Sequence, residues 1–79
     1  MRVDIDKEDM LKLSRYGFLM QMNRSRWLFS YENTYLQNFL LYFKLYHTKI
    51  NKINNKYNLN NQQYTCNFAN NFINIKEEK

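Results

Sequence analysis

Apolar residues recur at helical spacing through the first third of the chain. Met10, Leu13, Tyr16, Met20 and Trp27 share one face, with Leu11 and Phe18 beside them. Asp6 stands before this stretch as an N-cap, and Asp9 three residues later completes a capping box of the weaker, aspartate-containing sort. Ile5 and Met10 occupy the hydrophobic-staple positions, and Asp4, Glu8 and Asp9 suit the positive end of a helix dipole. The pattern predicts a helix over about 7–29. Gly17 interrupts it at a cost of about 1 kcal/mol relative to Ala. It either ends a first helix or lets another backbone come close within one long helix, and the continuous helix fits the periodicity better.

Ser30 is the next cap candidate, and a second helix follows over about 31–57. Tyr35, Leu36, Phe39, Leu40, Leu41, Tyr42, Phe43, Leu45 and Tyr46 are broken only by Gln37, Asn38 and Lys44. This apolar band covers most of the helix circumference and needs partners on more than one side. Leu36, Leu40, Phe43, His47, Ile50 and Tyr57 form a near-heptad seam, with Asn54 in a polar slot, which predicts helix-on-helix packing. A polar break spans 58–63, where disorder is the simplest reading. Residues 65–77 are ambiguous. Tyr64, Cys66 and Phe68 alternate like a strand, whereas Phe68, Ala69, Phe72 and Ile73 repeat like a helix face. With no second strand in view to pair with, a short helix or tail is expected. The predicted fold class is all-α: an antiparallel two-helix hairpin with a short C-terminal helix or tail, in one domain over 1–79.

Composition narrows the alternatives. One Gly, no Pro and one Cys in 79 residues exclude collagen-like chains, flexible linkers and disulfide scaffolds. They also argue against a multi-strand sandwich or barrel, whose tight turns call for Gly and Pro. Phe, Tyr, Met, Ile, Asn and Lys supply 43 of the 79 residues. These types are written mostly with A and T, so the pattern points to an AT-rich coding genome: an organelle, a phage or mobile element, or an AT-rich microbe. Asn then carries less turn information than usual. The acidic start has no apolar core of a secretory signal, so an intracellular protein of the organelle matrix or cytoplasm is expected, not a secreted one. Asn23-Arg24-Ser25 matches a glycosylation acceptor only formally.

Charge is unevenly spread. The total is +5, but Met10 to Tyr57 holds eight bases against one acid. The bases cluster at Arg24 and Arg26, near the predicted turn, and at Lys49, Lys52 and Lys56, near the end of the second helix. The second cluster reads either as a solvated helix end complementing its dipole or as a phosphate contact. Catalysis is not expected. His47 has no acidic or Cys neighbour one helical turn away, and Cys66 reads as a small buried hydrophobe. One His and one Cys do not make a metal site, and Gly17 alone makes no phosphate loop. No cofactor is expected. The best membrane window, Trp27 to Tyr46, carries Ser30, Glu32, Asn33, Thr34, Gln37, Asn38 and Lys44, so no span is expected. A helix-turn-helix with Gly17 at its turn leaves only Gln21, Asn23, Arg24 and Arg26 for base edges.

The run Glu8-Asp9-Met10-Leu11-Lys12-Leu13, then Tyr16-Gly17-Phe18-Leu19 and Asn23, resembles the first helix of mitochondrial members of the large-subunit ribosomal protein twenty-nine family. Glu32-Asn33-Thr34 falls where bacterial members carry a similar turn. The resemblance covers roughly Ile5 to Asn55. It departs from the family pattern in the apolar stretch Tyr35 to Tyr46, where the family's second helix is strongly basic, and in the tail after Tyr57. It implies an α-hairpin on ribosomal RNA near the nascent-chain exit, with Arg24, Arg26, Lys49, Lys52 and Lys56 facing phosphates and the apolar side of the second helix on a neighbouring protein.

The expected function is therefore that of a small basic, non-enzymatic binding protein, in its leading form a ribosome-associated structural protein contacting RNA. The alternative is a phage or mobile-element protein that binds and regulates or inhibits a host protein. Its interface residues would be Trp27, Tyr31, Tyr35, Phe39, Tyr42 and Tyr46, because Trp and Tyr dominate binding hot spots. Structured RNA with a neighbouring protein, a host protein target, or a second copy in a homodimer are the partners these readings imply.

Overall fold

The computed structural model describes residues 1–77. The elements run β1 (Arg2–Asp4), α1 (Lys7–Ser30), α2 (Asn33–Lys56), β2 (Tyr64–Asn67) and β3 (Phe72–Ile75). The two helices form the expected hairpin. Each has 24 residues and is about 36 Å long at 1.5 Å per residue. The chain measures 43 × 29 × 21 Å, so the helices set its long dimension.

The all-α expectation needs correction. The two ends of the chain build a small antiparallel sheet in the order β1-β3-β2, where a helix or tail was expected over 65–77. Val3 stands opposite Ile73, and Cys66 stands opposite Ile73 from the other side. The missing pairing partner was the N-terminal segment. Once Arg2–Asp4 lies beside β3, the alternation of Ile73 and Ile75 puts both inward and Asn74 outward, as a half-buried strand requires. The β2–β3 turn is local chemistry. Asn67 Oδ1 accepts the Asn70 N–H at 3.0 Å, and Asn71 takes a left-handed φ of 56°. Arg2 covers the sheet, its guanidinium 4.1 Å from the centre of the Phe72 ring.

The core sits where the sheet meets the base of the hairpin. Ile5, Met10, Leu13, Ile53, Leu59, Ile73 and Ile75 are buried together, ringed by Val3, Tyr46, Ile50, Tyr57, Tyr64 and Cys66. The segment over 58–63 is not an open polar break. Leu59 is buried in the core, its N–H donates to the Asn54 carbonyl, and its carbonyl accepts the Gln62 N–H. Left-handed Asn58 and Asn61 bend the chain on either side.

Local signals in the helices are partly as expected. Asp6 caps α1, with Oδ1 accepting the Glu8 N–H at 3.0 Å, and Ile5 and Met10 both enter the core. Asp9 does not close a capping box: its carboxylate turns to α2 instead. Gly17 lies inside an unbroken α1. A Cβ there would come within 3.2 Å of the Tyr46 ring, so the glycine lets α2's aromatic side chain approach the α1 backbone. Ser30 ends α1 rather than capping α2. Its hydroxyl donates to the Arg26 carbonyl and accepts the Glu32 N–H. Tyr31 closes α1 in the left-handed conformation usually given to Gly, its N–H on the Trp27 carbonyl at 2.7 Å.

Candidate functional site

Beyond the sheet, the hairpin has no comparable core. In the stretch from Ser14 to Lys52 only Asn23 is buried, and its side chain is satisfied by its own helix, Nδ2 donating to the Leu19 carbonyl at 2.8 Å. The distal end instead exposes large apolar groups. Phe29 is 92% exposed, Tyr31 74% and Phe18 66%, and Leu28, Leu40, Leu41 and Phe43 are each about half exposed. These exposures decide the character of the surface, because a free small protein gains nothing by holding a Phe almost wholly in water.

Two features organise this surface. At the tip, Ser25, Arg26, Phe29, Ser30 and Tyr35 line a groove of about 300 Å³ between the end of α1 and the start of α2. The Arg26 guanidinium lies 5.9 Å from the centre of the Tyr35 ring, and Trp27 meets Tyr31 edge to face at 6.2 Å. Along α2, the predicted seam becomes the second feature. Leu36, Leu40, Phe43 and His47 fall three and four residues apart and so share a face. Phe43 stacks against His47 at 4.3 Å and against Phe39 at 5.9 Å. The next seam residues, Ile50 and Tyr57, pack at the edge of the core, where Asn54 Oδ1 accepts the Tyr64 hydroxyl at 2.6 Å. One continuous apolar row therefore runs beneath the sheet at one end and into solvent at the other.

The six aromatic residues expected at an interface divide accordingly. Trp27, Tyr31, Tyr35 and Phe39 lie in the distal half, with Tyr42 half-buried behind them. Tyr46 belongs to the fold, packed against Gly17 and the core. Sequence reasoning passed over Phe29, Leu28 and Phe18. At 100° per residue Phe18 and Phe29 fall on the side of α1 opposite the row of Leu13, Tyr16, Met20 and Trp27, which is the signal that could have marked them as uncovered.

The five basic residues divide as well. Arg24 and Arg26 are exposed near the tip. Lys49 and Lys56 are held within the chain. Lys49 Nζ donates to Asp9 Oδ1 at 2.7 Å, and Lys56 Nζ donates to Asp9 Oδ2 at 3.0 Å and lies 4.0 Å from Asp6. The Tyr57 hydroxyl donates to the same Asp9 oxygen at 3.3 Å and accepts the Asp6 N–H at 2.9 Å. The hydrogen bond from Lys49 outweighs the opposing effect of burial and, with Lys56, holds the Asp9 carboxyl at about 2, below its ordinary 3.8. The Asp9 bond in turn raises the Lys56 ammonium. Lys52 is exposed and lines a shallow groove with Lys12, Tyr16, Leu45, Thr48 and Lys49.

Cys66 is half-buried, and burial pushes its thiol up, as it does the Tyr46 and Tyr64 hydroxyls. A thiol held neutral is a poor nucleophile. Among the described residues no three of His, Cys, Asp and Glu come together as a metal-ligand set. No helix among them is long and apolar enough to cross a membrane. Comparison with family models, curated proteins and solved structures finds no match to this chain.

Proposed function

We propose that this chain is a non-enzymatic binding protein that docks through the distal half of its helical hairpin onto another protein. The observation that carries the reading is the separation of roles along the hairpin. The sheet end holds the core, and the far end displays Phe29, Tyr31, Leu40 and Phe43 to solvent. Between Gly17 and His47 the charged residues are Arg24, Arg26 and Lys44 against Glu32 alone. A partner surface with an apolar centre and carboxylates at its rim complements this arrangement. A second copy docking tip to tip would set like charges together. A ribosomal setting, implied by the resemblance of the first helix, fits as a special case in which the partner is a neighbouring ribosomal protein. An inhibitor of a host protein would use the same surface.

Site-specific photo-crosslinking tests this reading. A photoreactive residue at Phe29 or Phe43, in cells of the source organism, is expected to give a protein adduct of discrete mass. Arg24→Glu/Arg26→Glu should abolish the Phe29 adduct. No discrete adduct at either distal site, or one with the mass of two copies of this chain, overturns the proposal.

A further inference from the structure

We infer that the free edge of β2 receives an extended segment of the partner protein as a fourth strand, laid across the hairpin beside the sheet. The inference rests on the docking reading and names the form the partner takes there.

The backbone hydrogen bonds identify the edge. The Ile75 N–H donates to the Met1 carbonyl at 2.7 Å, and the Met1 ammonium donates to the Ile75 carbonyl at 3.2 Å. Along a strand, alternate residues turn their backbone groups to opposite sides. Ile73 and Ile75 therefore serve β1, and Phe72 and Asn74 serve β2. The register sets Asn67 and Thr65 opposite these two, and the Lys76 N–H continues the same ladder to the Gln63 carbonyl at 2.8 Å. The N–H and C=O groups of Tyr64 and Cys66 are left pointing away from β3, and among the described residues no hydrogen bond reaches them. Nothing guards this edge. Residues 58–75 hold no charged side chain and no Pro. The opposite edge, β1, has three residues, and Arg2 Nε donates to Asp4 Oδ1 at 3.0 Å along it. Short length and charge are the usual protections of an edge strand.

The place of the edge gives the added strand something to cover. β1 leads into the base of α1, whereas Phe68, just past β2, lines a groove with Gly17, Phe18, Gln21 and Tyr46. β2 is thus the edge on the tip side. Its other end reaches α2 through the Tyr64 hydroxyl on Asn54, so the strand crosses both helices. A further strand would lie about 4.8 Å beyond it, close to one helical turn of about 5.4 Å. The next turn of the α2 row toward the tip is His47 and Phe43, followed by Leu40, and Phe43 and Leu40 are about half exposed. An extended backbone answers Tyr64 and Cys66, and apolar side chains at alternate positions answer the row beneath.

A second copy does not fit this place. An antiparallel β2–β2 pair has its twofold axis perpendicular to the sheet, which puts both hairpins on one face. They would run through each other, because α1 continues from Gln21 to Ser30, about 14 Å further. A parallel pair would turn the second copy over and lay polar Thr65, Asn67 and Asn74 on the apolar row.

Photo-crosslinking in cells of the source organism, with adducts digested and mapped by mass spectrometry, tests the inference. Photoreactive residues at Phe43 and at exposed Thr65 are expected to mark the same partner. Both adducts should fall within one Pro-free stretch of about six residues that alternates apolar and polar side chains. The same group at exposed Asp4, on the β1 edge, should give no adduct. Cys66→Pro removes the outward N–H and sets a ring in the path of the added strand, and should lower the Phe43 adduct about tenfold, whereas Cys66→Ala should keep it. That N–H makes no bond within the fold, so circular dichroism of both variants should match wild type. The mapping decides the matter even where Cys66→Pro fails to fold. A Phe29 adduct with none at Phe43 or Thr65, or Phe43 and Thr65 adducts on separate segments, overturns the strand and leaves docking in place. No adduct at Phe29 or Phe43 overturns both. A Thr65 adduct with the mass of two copies, or an equal loss in folded Cys66→Pro and Cys66→Ala, also overturns the strand.

Discussion

Replacing Ile73 by Ala lowers the stability of the free chain by about 3–4 kcal/mol, within the usual cost of truncating a fully buried isoleucine. Ile73 is 0% exposed and stands in the central strand, opposite Val3 on one side and Cys66 on the other. Its side chain belongs to the same buried cluster as Met10, Leu13 and Ile53, so it joins the sheet to both helices. No second core exists among the described residues to hold the fold once this junction is emptied. A domain of this length has only about 4–12 kcal/mol in total. Urea denaturation at neutral pH should therefore show a midpoint lowered by at least about a quarter of its wild-type value. A drop below about 1 kcal/mol would mean that the sheet is dispensable and that the helices stand by themselves.

The second large effect concerns Asp9. Its carboxylate is the point where α1 is tied to the end of α2, accepting Lys49, Lys56 and the Tyr57 hydroxyl. The Asp9 and Lys49 side chains are 13% and 17% exposed, so removing the acid leaves a largely buried ammonium without its counter-charge. Asp9→Asn is expected to cost about 2 kcal/mol at neutral pH, in line with the depression of the carboxyl from 3.8 to about 2. The pH dependence follows from the same depression. Because the folded form holds the proton less tightly than the unfolded form, this contribution is complete above about pH 4. It is lost as pH falls from there toward 2. Wild type should lose stability over that window, and Asp9→Asn should lose less. Thermal unfolding of both proteins at pH 7, 4 and 2.5 measures the difference, and parallel curves would show that Asp9 does not carry the acid response.

Much of the helical part was legible because its signals are local. Asp6, Ile5 and Met10 marked the start of α1, and the spacing of Met10, Leu13 and Tyr16 marked its buried face. The sheet was hidden for two physical reasons. Its strands are only three or four residues long, too short for alternation to be told from a helix face, and β1 is some seventy residues from the strand it pairs with. Discounting Asn also removed real turn information. Asn58, Asn61 and Asn71 all take left-handed φ, where Asn is among the few residues tolerated without strain. The pairing of Lys49 and Lys56 was invisible for the same reason as β1: the carboxylate they share lies 40 residues from one and 47 from the other. At the candidate interface the aromatic excess was plain in composition. Which members the fold would cover was not, since Tyr46 and Phe43 are neighbours one turn apart on the same helix and only Tyr46 reaches Gly17.

The central claim is that the distal half of the hairpin belongs to a partner and contributes little to the free fold. The denaturation midpoint of Phe29→Ser/Phe43→Ser tests it most directly. Both rings are substantially exposed, and Ser and Phe have similar helix propensities, so stability is expected to change by less than about 1 kcal/mol from wild type. A loss as large as that of Ile73→Ala would show that these rings are part of the core, and would contradict the claim that they are displayed for docking.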